Sequence, residues 1–287
     1  MSVVSGFHGI RKALASEPML AAGLTLLLLV CLFAFLGPLV INTELAQIGA
    51  AVPRQRPGMA HWLGSDVQGR DILSALVLAS PQTLKIGFFA GVIGLGLGTV
   101  LGLLAGYFRG WTDTVIRTFA DVVMTIPGIA VLVLVATNVR SMTVALMAVI
   151  VAGLAWMYPT RTIRAQTLSM RERPYVDIAR LNGLGGIELV FAEIFPNLLP
   201  YIAASFVTAV SSAMLATIGL EALGLGPQND LTLGMMIYWA LYYGAILRNM
   251  WWWWVPPVAM MALIFIGLLM TSTGLDRLVN RRLRVES

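Results

Sequence analysis

The sequence predicts an all-α membrane protein that crosses the bilayer six times, and three observations carry that expectation. Of its 287 residues, 58% are hydrophobic and only 11% charged, with a mean hydropathy of +0.83. Soluble domains run nearer to about 25% charged, so a chain this apolar could not cover itself with polar surface. Six uncharged or nearly uncharged stretches are long enough for the roughly 20 residues that a spanning helix needs. The basic residues between them also gather in alternate connections.

Taken in order, the stretches between charges are 19–41, 86–108, 122–139, 141–160, 194–220 and 249–275. This divides the chain into an N-terminal tail (1–18), a first transmembrane helix (19–41), an external segment (42–82), a main transmembrane region (83–275) and a C-terminal tail (276–287). With both tails on the cytoplasmic side, the inner segments hold Arg11, Lys12, Arg109, Arg117, the arginines of 161–180 and Arg277, Arg281, Arg282 and Arg284. That is most of the 19 basic residues, as the positive-inside rule requires. A further stretch, 231–247, could be a short seventh span. It would put the Arg281–Arg282 tail outside, so it is read as an outer-face helix or re-entrant hairpin. The first run is longer than the 7–15 residues of a typical secretory core, so it is read as a retained anchor rather than a cleaved leader.

The net charge of +5 and the pI near 9.7 fit basic cytoplasmic loops rather than nucleic acid. Cys31 is the single cysteine and cannot pair within the chain. There is no GxxxxGK[ST] phosphate loop, and the only lysines are Lys12 and Lys85. The chain therefore lacks the usual means of cradling ATP. The only histidines, His8 and His61, lie outside the spans, and there is no HExxH. No catalytic or metal-binding set is expected. A membrane enzyme and a proton-relay carrier are both poorly supported, because ionisable groups within the spans are few.

Several intramembrane features have two readings. Gly94, Gly98, Gly102 and Gly106, with Gly87 and Gly91 before them, form a stripe that lets a neighbouring backbone approach. Plain packing is expected of it, although a sliding interface needs the same smooth surface. Four tryptophans, 251–254, precede Pro256 and Pro257. They suit an interfacial anchor or, for Trp252 and Trp253, an aromatic rim beside the solute route. Asp121 is spaced to pair with Arg117. Glu221, at the outer end of the fifth span, could line the route, meet a partner subunit or end in solvent.

The longest inner loop, 161–193, carries a short helix signal over about 174–183. Pro174 suits a first helical position, Asp177 and Arg180 are spaced as an ion pair, and Gly183 suits a stop. From the residues alone, docking onto a partner and resting on the membrane are equal readings. The run Asp177-Ile178-Ala179-x-x-x-Gly183, followed by Ile194-Phe195-Pro196-Asn197, resembles the "EAA" loop of bacterial ABC importer permeases, Glu-Ala-Ala-x-x-x-Gly then Ile-Leu-Pro-Asn. Asp, Ile and Phe replace Glu, Ala and Leu. The segment from His61 to Ser74, through Gly64, Asp66, Gly69, Arg70 and Asp71, resembles the HxLGTDxxGRDxxS stretch of the dipeptide, oligopeptide and nickel branch. Leu223-Gly-Leu-Gly226 with Leu233-Gly-Met-Met236 resembles that branch's FLGLG…WGxM, although Glu221-Ala222 stands where the branch has Ser-Phe.

The resemblance implies a type I ABC importer permease fold, with 83–275 as the permease domain and a cytoplasmic coupling helix near 174–183. It also implies an inner-membrane location and four kinds of partner besides lipid: a second permease chain, two ATPase subunits that bind ATP and Mg, and an external solute-binding protein. Tyr175, Val176, Asp177, Ala179, Arg180 and Gly183 become the candidate ATPase-coupling residues. Glu221, Trp252 and Trp253 are the candidate pathway residues, and 64–71 is placed near the binding protein. Peptides are the expected solute, with oligosaccharides as the alternative on account of the tryptophans. A stand-alone channel or carrier is the remaining class.

Overall fold

A computed structural model describes residues 17–285, with side chains through Leu278. The N-terminal tail with Arg11 and Lys12, and the side chains of Arg281, Arg282 and Arg284, lie outside the described residues.

Ten helices follow in order: α1 (Pro18–Val40), α2 (Ile72–Phe108), α3 (Gly110–Thr125), α4 (Gly128–Asn138), α5 (Val144–Ala155), α6 (Met157–Met170), α7 (Pro174–Leu181), α8 (Gly186–Ala222, with a π-helical turn at Val190–Ile194), α9 (Leu233–Tyr242) and α10 (Trp251–Val285). α1, α2, α8 and α10 are each long and apolar enough to span, and the total reaches six when the bent pairs α3–α4 and α5–α6 are each counted as one span. α9 has only 10 residues, about 15 Å at 1.5 Å per residue. That is too short to cross.

Three boundaries differ from the charge-based expectation. α2 starts at Ile72, not Ile86, so the end of the expected external segment is already helical. Asp71 caps it, its Oδ1 accepting from the Ser74 N–H at 2.8 Å. The polar residues that seemed to end the span ride on the helix: Thr83 Oγ1 accepts from the Leu233 N–H at 2.9 Å, and Lys85 is exposed. The expected third span is two helices meeting at 78°. Pro127 lacks an N–H and holds Ile126 extended (φ −83°, ψ 128°), which ends α3 there. The fourth span is likewise bent, by 43°, at Trp156. α10 also runs past residue 275, so the expected C-terminal tail is largely helical in its backbone.

α2 runs through the middle of the bundle, and its glycines set how closely its neighbours lie. A Cβ on Gly98 would fall 2.6 Å from the Trp156 carbonyl oxygen, and one on Gly102 would fall 2.8 Å from the Thr160 carbonyl oxygen. Gly94 faces Ala155 and Gly106 faces Thr167, so this stripe meets the backbone around the α5–α6 bend. Gly87 and Gly91 face Met214 and Val210 of α8. The glycine stripe is thus packed within the chain, the simpler of its two readings. α1 lies against α10 by the same device, with Gly274 under Leu20 and Gly267 against Leu27.

Candidate coupling helix and solute pathway

α7 is built as its sequence suggests. Pro174 occupies its first turn and Arg173 precedes it in extended conformation. At the other end Gly183 adopts φ +86°. Its N–H reaches the Arg180 carbonyl at 3.0 Å, and the Leu184 N–H reaches that of Ala179 at 3.3 Å. This is a Schellman stop, which needs a residue tolerant of positive φ. Arg180 Nη1 donates to Asp177 Oδ1 at 3.1 Å; both side chains are exposed, so the pair adds little stability.

The two faces of α7 have different tasks. Val176 and Ala179 are buried among Leu103 of α2, Ile163 of α6, and Leu189, Val190, Ile194 and Leu198 of α8. They seat the helix on the bundle, whereas the sequence placed them among the expected ATPase-coupling residues. Tyr175 is half-buried beside them. Burial pushes its phenol pKa up, and its hydroxyl has no hydrogen-bond partner among the described residues. The outward face carries Asp177 and Arg180 together with Ile178, 59% exposed, and Leu181, 87% exposed. The matching letters of the motif do not single out Ile178 and Leu181. Their spacing, one helical turn apart on the face opposite Val176 and Ala179, was the available signal. The turn before α7 is tied to the bundle by Arg171, whose Nη1 donates to the Tyr107 carbonyl at 2.6 Å. Nearby, Arg164 of α6 binds both carboxylate oxygens of Asp113 on α3, the longer contact being 2.7 Å. Asp121 lies 4.0 Å from Arg117, as spaced, and closer to Arg161, at 3.6 Å.

A cavity of about 440 Å³ opens between α4, α5, α6, α8 and α10. Its α8 wall interleaves the hydroxyls of Tyr201, Ser205, Thr208 and Ser212 with alanines such as Ala204 and Ala209. Tyr158 and Thr162 of α6 face it, while Ile129, Leu132 and Val151 make its far end apolar. The end with Thr162 and Tyr201 is the one nearest α7, because Ile163 and Leu198 of the same helices seat α7.

None of the expected pathway residues lines this cavity. Trp252 and Trp253 are 6% and 2% exposed and belong to the protein core with Met214, Leu233 and Met250. Consecutive helical residues project about 100° apart, so four tryptophans in a row cannot form one rim. Only Trp251 is largely exposed at that end. Glu221 is fully buried, pressed against Gly226 and Gly234 beside the start of α9, and lines neither solvent nor this cavity. Gly234 is small because the Glu221 carboxylate occupies the space a Cβ would take.

The outer motif is a folded clamp. Asp71, besides capping α2, holds His61 Nδ1 at 2.8 Å through Oδ2. Asp66 Oδ1 accepts from the Gln68 and Arg70 N–H groups at 2.8 and 2.9 Å. Gly64 and Gly69 sit at φ +74° and +73°, and a Cβ on Gly64 would collide with the Gln55 carbonyl and Trp252. Trp252 Nε1 donates to the Ser65 carbonyl at 3.2 Å and Gln68 Nε2 to the Tyr243 hydroxyl at 3.3 Å. These bonds fasten the segment to α9 and α10, which is where the tryptophans are used. Arg70 is only half-buried, and its neighbours set its backbone rather than its guanidinium.

Two outcomes follow for this clamp. Asp71→Ala is expected to destabilise the protein by on the order of 1–2 kcal/mol through loss of the cap, read by thermal unfolding in detergent. An unchanged melting temperature would contradict the capping role. Burial raises the Asp66 pKa, against the opposing pull of the Arg70 and Gln68 N–H groups. Its contribution to stability is then fully present below the ordinary carboxylate pKa and is lost as pH rises through the raised folded value. Asp66→Asn, which keeps the acceptor without the charge, should flatten the pH dependence of unfolding across the acid range. Asp66→Ala should instead lower stability at every pH.

Residues 98–285 match the family described as "Binding-protein-dependent transport system inner membrane component". The chain is 29% identical to the oligopeptide transport system permease protein OppC of Mycobacterium tuberculosis, over 75% of each chain. It is 32% identical to the glutathione transport system permease protein GsiD of Pectobacterium atrosepticum, over 76% of this chain and 72% of that one. It is 30% identical to the dipeptide transport system permease protein DppC of Alkalihalophilus pseudofirmus, over 79% and 74%. Residues 98–285 hold α7, the cavity and Gly98, Gly102 and Gly106 of the glycine stripe. The chain therefore belongs to the family of binding-protein-dependent transport system inner membrane components, as a multi-pass membrane permease rather than an enzyme.

Proposed function

We propose that this chain forms half of the route for peptides in an ATP-driven importer of a prokaryotic inner membrane, with α7 as the element that receives the force. The observation that carries the proposal is the division of α7. Its inward face is locked to α2, α6 and α8, and its outward face offers Ile178 and Leu181 to something the chain does not contain. α6 and α8 also wall the cavity. A displacement of α7 would be passed by close packing to the helices that shape the route, because packed interiors transmit strain rather than absorb it.

In this reading a second permease chain completes the route and an external binding protein delivers the solute. Two cytoplasmic ATPase subunits hold ATP and Mg, and both termini of this chain are cytoplasmic. Peptide is the favoured solute because the curated relatives are named for oligopeptide, dipeptide and glutathione transport. The oligosaccharide reading draws on the altered Glu221 region and the tryptophan run, and Glu221, Trp252 and Trp253 are all buried.

The test is uptake by liposomes containing the chain with its permease and ATPase partners, supplied with its binding protein. ATP-dependent peptide accumulation is expected. Peptide flux through this chain alone, or uptake of oligosaccharides and not peptides, would overturn the reading.

A further inference from the structure

The cavity lining contains one charged side chain among the described residues, Asp276 of α10. Asp276 is exposed to the cavity space and makes no ion pair among the described residues. One turn earlier, Ser272 and Thr208 hydroxyls meet at 3.2 Å and tie α10 to the α8 wall. Tyr158, Thr162, Tyr201 and Ser205 complete a polar floor at the end nearest α7. A cleft lined by one sign of charge concentrates ions of the other.

We infer that Asp276 is a specificity-determining residue that receives a cationic group of the solute at the α7 end of the cavity. This rests on the peptide reading. Two cations of a peptide share the required chemistry, a protonated amino terminus and a basic side chain. The hydroxyls of Tyr158, Tyr201 and Ser205 can accept the remaining N–H bonds or donate to peptide carbonyls. The apolar far end, lined by Ile129, Leu132 and Val151, suits an uncharged side chain.

The test compares uptake by the complete transporter carrying the wild-type chain, Asp276→Asn or Asp276→Glu, always with the same binding protein so that its own preferences cancel. Three probe peptides are used: one with a free amino terminus, its N-acetylated form, and an N-acetylated form with one lysine. The wild type should favour the free-amine or the lysine peptide over the neutral form, and the winner names the cation. Asp276→Asn should cut that preference roughly tenfold, the size of one charge-assisted hydrogen bond, with flux of the neutral peptide retained. Asp276→Glu should restore much of it. An unchanged preference in Asp276→Asn overturns the inference and leaves the importer reading standing. So does loss of the second permease chain from the purified Asp276→Asn complex, which would make the carboxylate an interface group. If the wild type moves no peptide, the peptide reading falls and the inference falls with it.

Discussion

Replacing Ile178 and Leu181 together by aspartate is expected to abolish ATP-driven transport while leaving the chain folded and inserted. Both side chains project from the outward face of α7 and make no part of the core that seats it. In a partner groove each would bury an apolar side chain worth about 1.5–3 kcal/mol, and a buried, unpaired carboxylate adds a desolvation penalty. The combined loss corresponds to a drop in ATPase affinity of roughly 10³-fold or more. Co-purification of the ATPase subunits reads it directly. Val176→Asp should also stop transport, but by a different route. It places a charge in the cluster with Leu103, Ile163 and Ile194, so the melting temperature should fall as well. Full transport and normal ATPase recovery in the Ile178, Leu181 double variant would remove the docking face from the account.

The second large effect is expected on α2. Gly98→Leu and Gly102→Leu each push a side chain into backbone: the first against the Trp156 carbonyl and Pro159, the second against the Thr160 carbonyl and Ile163. Overpacking a core costs about 1–3 kcal/mol even where side chains can give way, and here carbonyl oxygens must move. Little folded protein should be recovered from membranes for either variant. Gly96 lies on the same helix, and a Cβ there would have nothing within 4 Å. Gly96→Leu is therefore expected to be recovered at wild-type levels. Equal recovery of all three would mean that the close α2–α6 approach does not hold the bundle together.

The count of crossings was legible because charges are rarely left in lipid, so uncharged runs mark the spans. Their ends were not, because a charge or a polar side chain can sit on a helix that continues. Lys85 does so at the exposed side of α2, and Thr83 does so by accepting from the start of α9. The break at Ile126 was signalled by Pro127, which hydropathy ignores. Helix α7 was readable nearly to the residue, since Pro174 and Gly183 act through local backbone preferences that need no tertiary context. Which of its residues face outward was readable too, but only from helical spacing rather than from matching letters.

The cavity lining was the least legible part. Glu221 and the tryptophans are conspicuous in the sequence as an acid and a run of indoles. Both proved to be internal fittings, Glu221 beside Gly234 and Trp252 beneath Ser65. The residues that do line a cavity are inconspicuous. Tyr201, Ser205, Thr208 and Ser212 carry no charge, and only their recurrence at i, i+4, i+7 and i+11 marks them as one face of a helix. Asp276 was hidden by its place next to the expected tail boundary.

The central claim is that the tip of α7 touches the ATPase. Cys31 is the only cysteine, so a Cys31→Ser background allows a single cysteine at Leu181, cross-linked by a short bifunctional reagent in the assembled transporter. The account predicts a covalent adduct with an ATPase subunit from position 181 and none from a cysteine placed at Leu269, on the exposed mid-span face of α10. No adduct from position 181 in a complex that still hydrolyses ATP and transports, or an adduct with the external binding protein instead, would contradict it.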